Sequence, residues 1–329
     1  MTGTFAPGIP KEVYTIHGIR QLTSRLGRPL RSPAVAIGNF DGVHKGHQAL
    51  LREAVIQARR VGGESVALTF HPHPARFFAP DLAPPMLTSL DRKAEILHSH
   101  GIDIVLVEPF DASLASLSAE AFVDQILGTA MGTKHVVVGA DFSFGQGRHG
   151  NSTLLGQLCQ ARNIGLTVVD QVIEQNLVCS STKIREFVLE GCVEGATLLL
   201  GRPFELEGTV VKGFQRGRTL GFPTANLQIQ TGLIAPKMGV YAGQATPLSP
   251  PGSPLRAAIS VGTNPTFAAK GDPELLIEAH LLDFSGDLYG KALRLSFVAK
   301  LRDQRRFPSL DELVAAIRND IDRTREIVP

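Results

Sequence analysis

Two histidines, His44 and His47, stand three residues apart in the segment "GNFDGVHKGH", between an apolar run and a stretch of helical spacing. A strand that hands over to a helix leaves backbone N–H groups unpaired at the positive end of the helix dipole, where an anion is favoured. Gly38, Gly42 and Gly46 allow a phosphate to approach that backbone closely. Imidazole donors at the same point suit a phosphate whose charge grows during group transfer. The segment lacks the terminal G-K-S or G-K-T of a Walker loop, and its spacing does not match G-x-G-x-x-G. Two other readings stand beside phosphate chemistry: a zinc site, which needs a third ligand and usually a Glu between the histidines, and a turn that serves only the fold.

A second segment, "SSTKIREF", places Ser180, Ser181 and Thr182 at a helix start with Lys183 and Arg185 in the first turn. The hydroxyls suit an ordinary helix cap. Basic side chains are unfavourable at that end of the dipole, and a bound anion would explain them.

The elements that must hold these residues fall into two patterns. Between Pro33 and about Asp170, the short apolar runs "AVAIG", "SVALTF", "IDIVLV", "HVVVG" and "LTVVD" alternate with segments of helical length, and Gly62 and Gly132 read as stop signals. Repeated β-α units predict a doubly wound parallel sheet, with ligands outside the carboxyl ends of its strands. After Gly201 the runs "LEGTVVKGF", "GVYAGQAT", "RAAISVG", "LLIEAHLLDF" and "ALRLSFVAKL" follow one another without helices, which predicts an antiparallel barrel or sandwich. In the last of them Leu293, Leu295, Phe297, Ala299 and Leu301 alternate with Arg294, Ser296, Val298, Lys300 and Arg302. A helix from about Lys183 to Leu200 joins the halves, and "TPLSPPGSPL" reads as a surface loop. A final helix opens on the capping box Ser309/Glu312 and lines one face with Leu310, Leu313, Ile317 and Ile321.

Composition narrows the classes. A chain of 329 residues exceeds one typical core, and a formal net charge of +2 offers no bulk positive footprint for nucleic acid. No signal-peptide core and no apolar run of about 18 residues is present, so a cytoplasmic protein without a membrane partner is expected. Cys159, Cys179 and Cys192 form no C-x-x-C pair and read as core thiols.

Taken in order, these motifs resemble the bifunctional prokaryotic riboflavin kinase and FMN adenylyltransferase family, often called FAD synthetase, within the superfamily that shares H-x-G-H. "GNFDGVHKGH", "TFHPHP", "VVGADFSFGQGRHG" and "SSTKIREF" resemble the adenylyltransferase half, and "GRTLGFPTANL", "GVYAG", "SVGTNPTF" and "IEAHLLDFSGDLYG" the kinase half. The resemblance covers nearly the whole chain. The expected domains are an adenylyltransferase over 1–185, a helical linker over 186–203 and a kinase barrel with a C-terminal helix over 204–329. The resemblance implies two reactions: riboflavin and ATP give FMN and ADP, then FMN and a second ATP give FAD and pyrophosphate, both with Mg²⁺. It implies that His44, His47 and the segment Gly38, Asn39, Phe40, Asp41, Gly42 and Gly46 contact ATP, with Ser180, Ser181, Thr182 and Arg185 completing the site. Phe70, Pro72, His73 and Pro74 belong to a flavin-side wall, and Asp141 and Phe142 help hold nucleotide or flavin. His71 departs from the family, many of whose members carry an acidic residue there.

Each reaction sets its own demand. The phosphate monoester of FMN is largely ionised near pH 7, its second pKa being about 6, so adenylyl transfer needs positioning and charge stabilisation without a base. The ribityl hydroxyl of riboflavin is about as weak an acid as water, whose pKa is about 15.7, so a carboxylate should take its proton. Strand alternation puts Leu276, Glu278, His280 and Leu282 on one face, opposite Ile277, Ala279 and Leu281, which makes Glu278 the general-base candidate. Gly217, Arg218 and Gly221 would lie against ATP, and Thr224 and Asn226 offer oxygen ligands suited to Mg²⁺. Arg302, Arg305 and Arg306 read as a solvated cluster, with a lid near phosphate as the other reading. The rival readings are an enzyme with one active half, a different nucleotidyltransferase, and a flavin-binding sensor; oligomeric state is left open.

Overall fold

The computed structural model describes residues 13–213, 220–263 and 275–329. The chain divides into two compact units, Met1–Pro84 with Leu90–Val178, and Pro85–Ser89 with Cys179–Pro329.

The first unit is built on a six-stranded parallel sheet of β1 (Tyr14–His17), β2 (Ala34–Ile37), β3 (Ser65–His71), β4 (Ile104–Pro109), β5 (His135–Gly139) and β6 (Gly165–Val169), in the order β1-β4-β3-β2-β5-β6. The inner strands read as unbroken apolar runs because both faces are covered. Val35, Ile37, Val66 and Leu68 pack with Phe122, Val123 and Leu155 on one face. On the other, Ala36, Ala67, Val105 and Val137 meet Leu50, Leu51 and Ala54 of α1 (Lys45–Arg60) and Ala94 and Leu97 of α2 (Leu90–Ser99). Leu155 belongs to α3 (Ser152–Gln160). Gly62 and Gly132 both take the left-handed φ of +62° that stops a helix. The edge strand β1 carried no sequence signal, since only Ile16 of its four residues is buried. From β2 the strand order runs through β3 and β4 on one side and through β5 and β6 on the other. The carboxyl ends of β2 and β5 therefore flank the switch point of the sheet, and the histidine segment leaves from β2.

The second unit holds α4 (Ser181–Glu190), α5 (Val193–Leu200), strands β7 (Phe204–Val211), β8 (Ala225–Ile229), β9 (Gly239–Pro247), β10 (Leu255–Thr263), β11 (Leu275–Leu281) and β12 (Ala292–Asp303), and α6 (Leu310–Ile327). The strands close into an antiparallel barrel in the order β7-β8-β11-β10-β9-β12. Phe204, Leu206, Tyr241, Ile259, Ile277, Leu295 and Phe297 are buried in it. The expected barrel and terminal helix are both present.

Five local expectations need correction. The stretch Lys183–Leu200 is two helices, because Gly191 turns left-handed at φ +79°, where an added Cβ would lie 2.9 Å from the Tyr241 hydroxyl. The alternation of β12 breaks at two register shifts against β9, so Val298 and Leu301 share an apolar cluster with Val240, Ala242 and Val328. Leu310 is exposed and Cys192 is an exposed thiol, unlike the buried Cys159 and Cys179. Arg302 is no solvated charge: its guanidinium grips the buried Asp320 carboxylate through Nε at 3.0 Å and Nη2 at 2.8 Å.

Candidate active sites

The loop leaving β2 turns through three left-handed residues, Phe40 at φ +49°, Gly42 at +78° and Val43 at +44°. Phe40 and Val43 are fully buried, so their side chains anchor a backbone shape that costs about 1–3 kcal/mol at each non-glycine position. The Asn39 carbonyl at the base of the turn accepts from Lys93 Nζ at 2.8 Å and from Thr69 Oγ1 at 3.1 Å. His44 caps α1: its Nδ1 accepts from the His47 N–H at 3.3 Å, which leaves Nε2 as the protonated nitrogen of the neutral ring. The two imidazoles stack with centroids 3.7 Å apart, and His47 meets the edge of Phe40 at 5.3 Å. Lys45 pairs with Glu174 at 2.8 Å.

Burial holds the His47 imidazole well below its ordinary value of 6.5, and the neighbouring His44 and Lys93 push in the same direction. His47 Nδ1 is buried with no partner among the described residues. A ring kept neutral offers a directed hydrogen bond to a phosphate oxygen. The sign of its effect on stability follows from linkage: the unfolded chain takes up a proton as pH falls below about 6.5, while the folded ring resists it. Stability should therefore fall from about pH 6.5 downward. Thermal unfolding measured between pH 5 and 7.5 should show a shallower fall for His47→Gln than for the wild type, and parallel curves would show that His47 is not held neutral.

The other expected residues of this unit lie along the same carboxyl edge of the sheet. Phe70, one residue before the end of β3, meets Phe110 edge-on at 5.9 Å. Phe77 and Phe78, missed from sequence, complete the cluster at 5.6 and 5.7 Å from Phe110. Phe78 is 65 % exposed, as an aromatic face awaiting a planar partner would be. Pro72 follows a cis peptide bond after His71, and Pro74 opens a short helix capped by His73, whose Nδ1 accepts from the Ala75 N–H at 3.1 Å. Past β5, Asp141 is exposed and Phe142 stacks on Phe144 at 5.4 Å.

The "SSTKIREF" segment opens the second unit. Ser180 caps α4 by accepting from the Lys183 N–H at 3.2 Å, Ser181 is half-buried and Thr182 is exposed. The basic residues have partners of their own: Lys183 Nζ lies 2.8 Å from Glu186, and Arg185 Nε donates to the Pro85 carbonyl at 2.7 Å. An anion is not needed to explain Lys183.

In the barrel, the expected kinase residues come together. Glu278 sits on β11 between Asn226 of β8 and Ser260 of β10 in register, and its Oε1 accepts from Thr224 Oγ1 at 3.4 Å. Asn226 is 5 % exposed, and its Oδ1 is buried without a partner among the described residues. Gly213 is required beside it, since an added Cβ would lie 2.3 Å from Asn226 Nδ2. A hydroxyl, an orphaned amide oxygen and a carboxylate are hard donors, so the set fits a hard divalent cation. Gly217 and Arg218 lie outside the described residues, and Gly221 is left-handed at φ +84°. His280, two residues after Glu278, donates from Nδ1 to the Pro223 carbonyl at 2.8 Å and lines a cavity of about 360 Å³ with Gly221, Phe222, Leu282, Arg318, Ile321 and Arg325. This cavity had no sequence signal, because it joins side chains from β8's approach, the end of β11 and α6.

A histidine-capped loop at the switch point of a parallel sheet, with a closed barrel on the same chain that sets a carboxylate beside a hydroxyl and an amide oxygen, defines a two-unit transferase. Family models described as FAD synthetase and Riboflavin kinase match residues 28–183 and 200–328. The chain belongs to the bifunctional riboflavin kinase/FMN adenylyltransferase family. The member from Escherichia coli (strain K12) is 37% identical over 94% of this chain and 96% of its own length. The member from Pseudomonas fluorescens is 40% identical over 91% and 94%, and that from Bacillus subtilis (strain 168) 34% over 87% and 89%. A crystal structure described as a macrolide-efflux protein from Streptococcus pneumoniae superposes with a TM-score of 0.82 at 31% identity, covering 95% of this chain and 99% of that one. No helix among the described residues of the present chain is long and apolar enough to cross a membrane.

Proposed function

We propose that the barrel makes FMN from riboflavin and ATP and that the histidine loop makes FAD from FMN and a second ATP. The observation that carries this reading is the Thr224, Asn226 and Glu278 group, which joins a base to an oxygen ligand set on one face of the barrel. In the kinase step, the ribityl hydroxyl attacks the γ-phosphorus of ATP, its proton passes to the Glu278 carboxylate and ADP leaves. The cavity beside His280 is of a size to take the flavin ring, with Phe222, Leu282 and Ile321 supplying apolar wall. Thr224 and Asn226 would hold Mg²⁺, which when bound supplies positive charge to the phosphates of ATP. In the adenylyl step, a phosphate oxygen of FMN attacks the α-phosphorus of ATP and pyrophosphate leaves. Glycine backbone and the His44 and His47 rings orient the triphosphate, and no residue need act as base. In this reading the phenylalanines at the ends of β3 and β4 receive the flavin. Its partners are small, water-borne molecules, in keeping with a cytoplasmic enzyme.

The decisive experiment incubates the protein with Mg²⁺ and ATP, adding riboflavin in one tube and FMN in another, and separates the flavins by chromatography. FMN followed by FAD in the first, and FAD in the second, is the expected result; flavin bound but unchanged in both would leave only a sensor. Asn226→Leu, which removes the orphaned oxygen at nearly constant volume, should raise the Mg²⁺ needed for half-maximal FMN formation about tenfold or more. A Mg²⁺ titration that matches the wild type would remove Asn226 from the ligand set.

A further inference from the structure

Lys93 lies where the period of α2 places apolar residues, three after Leu90 and four before Leu97, and is 2 % exposed. Burying an ammonium is costly, and a methionine would fill the same volume without that cost. The need of the Asn39 carbonyl does not account for it either, since Thr69 Oγ1 already donates to that oxygen at 3.1 Å. The Lys93 ammonium adds a second, charged bond to the same carbonyl at 2.8 Å, immediately before the left-handed Phe40. Burial pulls the pKa of this lysine below its ordinary value, and the Asp41 carboxylate, one residue beyond Phe40, opposes that shift. Lys93 also acts electrostatically on His47, so the ammonium bears on that ring as well as on the Asn39 carbonyl.

We propose that Lys93 is a positioning residue for adenylyl transfer, anchoring Asn39 so that the backbone of 38–44 and the His47 ring keep the shape that receives a nucleoside triphosphate. The proposal rests on the reading of this loop as the ATP site of FAD formation. Lys93 touches no reacting atom; it acts through the loop.

The test uses the full-length protein, with FAD formation from FMN followed as ATP is varied and FMN formation measured on the same preparation. Lys93→Met should raise the KM for ATP about tenfold and lower kcat about tenfold in FAD formation, while FMN formation stays at the wild-type rate and Tm stays within a few degrees. Thr69→Val should have a smaller effect alone. The double variant should lose more than the product of the two, because either donor still holds Asn39 when the other is gone. Wild-type KM and kcat in Lys93→Met would overturn the proposal, as would a loss shared equally by both activities and accompanied by a large fall in Tm. Should Lys93→Met not accumulate as folded protein, Thr69→Val decides: a severalfold rise in KM supports the anchor and an unchanged KM overturns it. If the wild type makes no FAD from FMN, the underlying reading fails by itself. Calorimetric ATP binding then judges the anchor, with one site weakened in Lys93→Met supporting it and unchanged binding overturning it.

Discussion

Glu278→Ala should reduce FMN formation from riboflavin about 10³-fold while FAD formation from supplied FMN continues at nearly the wild-type rate. The size follows from the role: a positioned general base contributes about 10²–10⁴-fold, and a hydroxyl nucleophile has no other route for its proton in this group of side chains. Glu278 is half-buried on the outer face of β11, where it accepts from the Thr224 hydroxyl, so its truncation opens no cavity in the barrel core and should spare the fold. Glu278→Gln tests the same point at constant shape, because it keeps an acceptor for Thr224 and loses only the basicity. Separate assays of the two reactions on one preparation give the answer. Equal loss of both would contradict the assignment of base chemistry to the barrel.

His47→Ala should show the reverse, with FAD formation lowered about 10²–10³-fold, the usual cost of removing one preorganised donor from a centre of growing charge, and FMN formation intact. The side chain is half-buried, stacked on His44 and set against Phe40, so its removal also frees the His44 ring that caps α1. His47→Asn, which keeps a donor of lesser reach, should recover part of the rate. An unchanged rate of adenylyl transfer in His47→Ala would rule out the role given to it here.

The parts of the architecture that were legible in the sequence are those where one physical signal dominates. Continuous apolar runs announced β2 to β5 because both sheet faces are covered, and Glu278 could be set on the outer face of β11 because Ile277, Ala279 and Leu281 fill the barrel. Where two signals compete, the sequence misled. The apolar count of β12 hid its two bulges, and the helical tendency of Lys183–Leu200 hid the break at Gly191. Lys183, read from the dipole as a sign of an anion, finds its counter-charge on Glu186 one turn along the same helix. Lys93 did have a signal, a charged residue inside an apolar stripe, whereas nothing local marks Phe110 or Arg325 as neighbours of Phe70 and His280, since those proximities arise from tertiary packing.

The closure of the barrel has a consequence for how copies of this chain can associate. Among the described residues every strand from β7 to β12 has both neighbours supplied from within, so these strands offer no free sheet edge to another molecule. The open edges among the described residues belong to the parallel sheet, whose rims are β6 and the four-residue β1, and to two ladders of two residues a side, Ser143–Phe144 with Gly150–Asn151 and Ile173–Glu174 with Leu177–Val178, all of them short and so poor templates for extension. Assembly through the barrel must be made by side chains alone.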